Sequence, residues 1–224
     1  MEHPRLVFLL DVDNTLLDND GVKADLDGQI GRLVGAEAEQ AFWELYEAVR
    51  QERDVVDFPA TLVRFHERFP QSDQSYEQLS NLLNTYRFDR RLFPHAIETI
   101  HHLRSFGVAV VVSDGDPTFQ PRKIAEAGIT EAVDGNVEIF VHKERSIAEV
   151  MARYDAGRYV MVDDKRRILA ALKRDHPGRF TTVHVLQGHY AQDDADLLPP
   201  PDITVEHIAD LRRCNAADFL KAGG

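Results

Sequence analysis

Apolar and polar positions along the chain switch between a short-run period and a helical one. Leu6 to Leu10 is an unbroken apolar run that stops at Asp11, as expected of a strand covered on both faces. From residue 22 to 90 the spacing is only helical. Ala38, Phe42, Leu45 and Val49 make one apolar stripe, Phe58, Leu62, Phe65 and Phe69 a second, and Tyr76, Leu79, Leu83 and Tyr86 a third. Ser75 and Gln78 before the third stripe suit a capping box. After Pro94 the alternation resumes, with Ile97, Ile100, Leu103 and Phe106 marking a helix that Gly107 ends. Val108 to Val112 then reads as a buried strand ending at Ser113. Asp116-Pro117 looks like an N-cap with proline at the first helical position, opening a helix to about Ala127. Strands follow at Val137 to Val141, Tyr159 to Val162 and Phe180 to Leu186. The helices between them run from about Glu144 to Tyr154 and from about Arg166 to Asp175. Pro199-Pro200-Pro201 marks a loop, and Ile208 to Leu220 reads as a last helix. Strands separated by helices predict an α/β fold with a mostly parallel sheet and right-handed crossovers.

Composition narrows the partners. With 26 Lys and Arg against 38 Asp and Glu, the formal net charge is −12. That balance disfavours nucleic acid, whose binders meet phosphates with cations. It also means that any anionic ligand must be met by local cations or a metal. The single cysteine, Cys214, excludes an intramolecular disulfide and a cysteine-based zinc cluster. No apolar segment approaches membrane-spanning length, and Leu6 to Leu10 is too short for the core of a signal peptide. The expectation is a soluble cytoplasmic protein without a membrane partner, its oligomeric state left open.

The chemistry gathers where the predicted strands end. Ligands of parallel sheets bind beyond the carboxyl ends of the strands. Those ends carry Asp11-Val12-Asp13-Asn14-Thr15, then Ser113-Asp114-Gly115-Asp116, then His142-Lys143, then Asp163-Asp164-Lys165. Several carboxylates converging on one point resist ionising together. A hard divalent cation removes that conflict, and an all-oxygen set favours Mg²⁺ over zinc. Ser113 and the backbone at Gly115 can donate to a phosphoryl oxygen, and Lys143 can meet developing charge. Together these groups suit phosphoryl transfer, with one carboxylate as nucleophile and another as acid/base.

Phe8-Leu9-Leu10-Asp11-Val12-Asp13-Asn14-Thr15-Leu16-Leu17 resembles the first motif of the haloacid dehalogenase superfamily, an apolar strand followed by DxDxTL. Ser113 closing a strand resembles the second motif, Lys143 the third, and Asp163-Asp164 after Val160-Met161-Val162 the fourth. The resemblance implies that Asp11 attacks phosphorus and binds Mg²⁺, and that Asp13 protonates the leaving group and then activates water. It further implies that the backbone carbonyl of Asp13 lies on the metal and that Ser113 and Lys143 hold the phosphoryl oxygens. Asp163 and Asp164 complete the metal shell, directly or through water. Dehalogenases of the family lack the second aspartate, so Asp13 speaks against dehalogenation. Two departures stand out: Asp114 replaces the more frequent Asn, which leaves its substrate contacts open, and the fourth motif reads Asp-Asp-Lys. Lys165 either pairs with a site carboxylate or faces solvent.

The resemblance implies a Rossmann-like core, residues 1–17 and 91–224, with a helical cap at 18–90. The implied activity is Mg²⁺-dependent hydrolysis of a small phosphorylated metabolite through an aspartyl-phosphate. A phosphotransferase or phosphomutase keeps the same residues, and a phosphate-binding regulatory protein keeps the site without turnover. Gln120-Pro121-Arg122-Lys123 offers cations that meet a substrate or sit on a helix face. Gly188-His189-Tyr190 reads as a loop able to approach the site, with no role assigned to it, and His189 itself reads as a surface or packing residue.

Overall fold

A computed structural model describes residues 6–53, 56–69, 73–193 and 196–222. The chain opens with β1 (Leu6–Leu10), every residue of which is buried. Four helices follow, α1 (Asn19–Val34), α2 (Ala36–Arg53), α3 (Phe58–Arg68) and α4 (Asp73–Thr85). A 3-10 turn at Phe88–Arg91 leads back to α5 (Ala96–Arg104) and β2 (Gly107–Asp114). Next come α6 (Phe119–Glu126), the short α7 (Ile129–Ala132), β3 (Val137–Phe140) and α8 (Lys143–Arg153). The order closes with β4 (Arg158–Asp163), α9 (Arg166–Asp175), β5 (Phe180–Val185), β6 (Ile203–Val205) and α10 (Ala216–Ala222).

The sheet is six-stranded and parallel throughout, in the order β3-β2-β1-β4-β5-β6. This is the Rossmann-like α/β architecture expected. Its continuous apolar strands follow from having both faces covered. Leu6, Phe8 and Leu10 point into one core with Ile100, Leu103, Leu211 and Phe219, while Val7 and Leu9 point into the other with Ile147, Val150, Ile168 and Leu169. The rings of Phe8 and Phe219 meet edge to face with centroids 5.2 Å apart.

Topology decides where the site lies. From β1 the chain moves outward on one side to β2 and β3, then returns past β1 to β4 and moves outward on the other side. The connections leaving β1 and β4 therefore run apart, which opens a crevice at their carboxyl ends. Leu10 pairs with Val162 in register, so Asp11 and Asp163 leave adjacent strands at one level. Helices α1 to α4 pack chiefly on one another. Phe42, Tyr46, Phe58, Leu62 and Phe65 supply their shared interior, as the stripes predict.

Four local expectations change. A sixth strand, β6, was not anticipated; its three residues are too few to show a period, and pairing with β5 makes it a strand. The last helix is broken in two, a 3-10 turn at Ile208–Arg213 and α10. Between them Asn215 Oδ1 accepts the Ala217 amide at 2.9 Å and so starts a new helix. Ser75 lies inside α4, which already runs from Asp73, so it does not cap that helix. Asp116 does cap α6, accepting the Thr118 and Phe119 amides at 2.8 and 2.7 Å, but the helix itself begins at Phe119.

Candidate active site

The loop after β1 is tied to itself. Val12 O accepts the amides of Thr15, Leu16 and Leu17, and Asn14 takes the left-handed conformation with φ 62°. Asparagine tolerates that region better than most residues. The loop leaves Asp11 buried at 2% exposure and turns the half-buried Asp13 outward.

Around Asp11 the chain collects charge. Lys143, 1% exposed at the start of α8, places Nζ on Asp11 Oδ1 and lies 2.7 Å from Asp163 Oδ2. Burial alone would lower the lysine pKa, but the Asp11 and Asp163 charges override it and the pKa is raised. Asp11, Asp163 and Asp164 each offer a carboxylate oxygen within 4.8 Å of the others, all from buried residues. Asp163 Oδ1 accepts the Lys165 amide at 2.8 Å. Asp11 Oδ2 and both carboxylate oxygens of Asp164 are buried without a hydrogen-bond partner. Unsatisfied buried carboxylate oxygens are costly, and a cation is the partner that three converging carboxylates fit.

The titration of Asp164 registers the same conflict. Burial first, then the Asp11 and Asp163 charges, pushes its pKa up to about 9 from 3.8. Folding therefore takes up a proton between those values, so this carboxyl makes the metal-free protein less stable as pH rises from about 4 towards 9. In EDTA, urea unfolding at about pH 5 and about pH 8.5 should show that decline, and Asp164→Asn should flatten it. A slope unchanged in the variant would contradict this account.

Asp13 has different company. Its carboxylate is ion-paired with Lys123 Nζ and accepts Gln120 Nε2 at 3.1 Å. Its carboxylate is outside the Asp11, Asp163 and Asp164 trio. Gln120 also donates to Ser113 Oγ at 3.0 Å, and Lys123 reaches Asn19 Oδ1 at 2.8 Å. The two lie three apart on α6 and share its inward face, whereas Arg122 turns away to Glu126, Asn84 and the Leu83 carbonyl. Helical spacing could have paired Gln120 with Lys123; only packing shows that their face meets Asp13.

Ser113, next to last in β2 and 1% exposed, is in reach of this group. Asp114 Oδ1 accepts the Lys143 amide at 2.7 Å, so one of its oxygens starts α8. Its side chain still borders the cavity beside the site. That cavity, about 670 Å³, is walled by Asp13, Asp114, Lys123, Tyr46, Phe58 and Tyr190 among others. The Gly188-His189-Tyr190 loop does reach the site. His189 Nδ1 lies 2.7 Å from Asp20 Oδ1, and Asn14 Nδ2 donates to the same oxygen at 3.2 Å. A Cβ at Gly188 would run into the Asn14 side chain, and its φ of 70° also favours glycine. Lys165 makes no ion pair in salt-bridge range among the described residues. Burial would lower its pKa, but the Asp11, Asp163 and Asp164 charges override it and the pKa is raised. Its Nζ sits 5.2 Å from the Tyr190 ring centroid, on the cavity wall.

Residues 6–175 match the model of a haloacid dehalogenase-like hydrolase family. A crystal structure of a Burkholderia xenovorans protein assigned to the haloacid dehalogenase-like hydrolases is 44% identical, covering 96% of this chain and 99% of that one, with a TM-score of 0.87. An L-2-haloacid dehalogenase from Xanthobacter autotrophicus, with chloropropionic acid covalently bound, is 15% identical over 92% of this chain and 96% of its own, with a TM-score of 0.61. A Bacillus subtilis HAD hydrolase bound to magnesium is 10% identical over 94% and 98%, with a TM-score of 0.61. These last two share the fold. None of the curated proteins matches the chain. Among the described residues no helix is long and apolar enough to cross a membrane.

Proposed function

The chain belongs to the haloacid dehalogenase-like hydrolases, and from that premise we propose that it is a Mg²⁺-dependent phosphatase of small phosphate monoesters. The observation that carries the reading is Asp13. Both reactions need a nucleophile and a base for water, but a halide leaves without a proton, whereas the alkoxide departing from phosphorus needs one. Asp13 borders the cavity two positions after Asp11, and Lys123 and Gln120 hold its carboxyl in place.

In this mechanism an oxygen of Asp11 attacks phosphorus, and the bond from phosphorus to the ester oxygen breaks. Asp13 gives its proton to the leaving oxygen. Asp13 then takes a proton from water, whose oxygen attacks the phosphorus of the aspartyl-phosphate and frees Asp11. Ser113 Oγ and Lys143 Nζ hold phosphoryl oxygens through both steps. Asp11, Asp163 and Asp164 would hold the cation, with the Asp13 carbonyl, and the ion would neutralise the carboxylates and polarise the phosphoryl group. Residues 18–90 act as a cap that closes the cavity from bulk water. The acidic chain works in the cytoplasm on a small substrate, with neither nucleic acid nor membrane as partner.

p-Nitrophenyl phosphate should be hydrolysed with Mg²⁺, and EDTA should stop the reaction until Mg²⁺ is returned. The fold likeness to a haloacid dehalogenase sets the rival, tested with 2-chloropropionate. Chloride release from it, with no phosphate release from a broad ester panel, would overturn the phosphatase reading. Transfer to an added alcohol in preference to water would make the protein a phosphotransferase.

A further inference from the structure

The wall of the 670 Å³ cavity carries six Lys and Arg and four Asp and Glu, in a chain whose net charge is −12. Most of that local charge is already paired. Glu47 lies 2.7 Å from Arg50 and 3.8 Å from Lys23, Asp13 holds Lys123, and Glu144 lies 4.0 Å from Arg167. Asp114 turns one oxygen to the Lys143 amide. Two cations on the wall remain, Arg145 on α8 and Lys165 just before α9, and neither has a carboxylate in salt-bridge range among the described residues.

These two differ from a solvated surface pair. Lys165 is partly buried, and Tyr190 backs its ammonium at 5.2 Å, which holds the charge against an aromatic face instead of in water. Arg145 is exposed, two residues after Lys143, so the phosphoryl-holding lysine and the free guanidinium leave the same helix start. A guanidinium suits a planar or tetrahedral oxyanion through paired N–H donors, and the lysine adds a point charge. On this wall the two cations give a second anion a local place in an otherwise acidic chain.

We propose that Arg145 and Lys165, backed by Tyr190, form an anion subsite, so that the substrate is a phosphate monoester whose alcohol half bears a second oxyanion, carboxylate or phosphate. This rests on the phosphatase reading for the first phosphate, and it adds what the rest of the substrate must carry. The phosphoryl group to be cleaved sits at Asp11, Ser113 and Lys143, while the second oxyanion meets Arg145 and Lys165.

Two matched pairs of esters test it. 3-Phosphoglycerate differs from glycerol 3-phosphate by a carboxylate in place of a hydroxymethyl, and fructose 1,6-bisphosphate differs from fructose 6-phosphate by one phosphate. The doubly anionic member of at least one pair should have the higher kcat/KM, by about tenfold or more. Which pair shows the preference identifies the oxyanion. Arg145→Gln and Lys165→Met should each cut that ratio by about tenfold, and Arg145→Lys should restore part of it. Calorimetric binding of the same pairs to Asp11→Asn protein gives a readout without turnover. No hydrolysis of any ester, with the binding preference intact, would retire the phosphatase reading and keep the subsite. Ratios near one, or ratios that neither charge-removing variant changes, in both turnover and binding, would overturn the subsite.

Discussion

Asp11→Asn is expected to lower phosphate-ester turnover by roughly four orders of magnitude or more, with the protein still folded. The amide keeps the size of the side chain and removes its nucleophilic charge. Asp11 is 2% exposed and one of its carboxylate oxygens has no hydrogen-bond partner. Asp13 does not take over, because its carboxylate lies outside the Asp11, Asp163 and Asp164 group. Folding survives because Lys143 keeps Asp163 at 2.7 Å, and one of three crowded negative charges is gone. Steady-state kinetics with p-nitrophenyl phosphate, beside a far-UV spectrum and a melting curve, would check both halves. Residual turnover within tenfold of the parent would remove Asp11 as nucleophile.

Lys143→Met should be the variant that damages the metal-free fold most. Its ammonium is the cation that holds the buried trio together, touching Asp11 and Asp163 at 1% exposure. Methionine fills much of the same space but leaves three carboxylates with only the more distant Lys165 charge beside them. Removing one partner of a buried pair typically costs about 3–5 kcal/mol. In EDTA near neutral pH the variant should unfold at correspondingly lower urea, and Mg²⁺ should recover part of the loss. Acid should recover part as well: burial raises the pKa of Asp163, and without the lysine that rise grows, so protonation relieves the repulsion as pH falls. Unfolding at the parent's urea concentration in EDTA would show that the lysine is not the keystone of the cluster.

Much of this site is legible in the sequence. Asp11, Ser113, Asp163 and Asp164 sit at the ends of apolar runs, and a run buried on both faces announces its own end, whereas Lys143 follows a half-buried strand and was marked only by its place in the motif order. The helical block was legible for a similar reason, since its stripes keep one period over many turns. What escaped reading has no such local mark. β6 is a strand only because β5 pairs with it. Gln120 and Lys123 share a helix face, but which face meets Asp13 depends on how α6 is held, in part by Arg122 reaching Asn84. Lys165 and Tyr190 lie on opposite sides of β5 in the chain, so their contact exists only once that strand is in the sheet.

The sequence by itself determined the alternation of strands and helices, and which carboxylates, hydroxyl and lysine stand at strand ends. Both follow from patterns local to a few residues. Only the tertiary structure decided that Asp163 pairs with Lys143 while Asp13 pairs with Lys123, and that Arg145 and Lys165 have no carboxylate in salt-bridge range among the described residues. Charge pairing depends on distances between segments far apart in the chain, and those distances are set by the order of strands in the sheet.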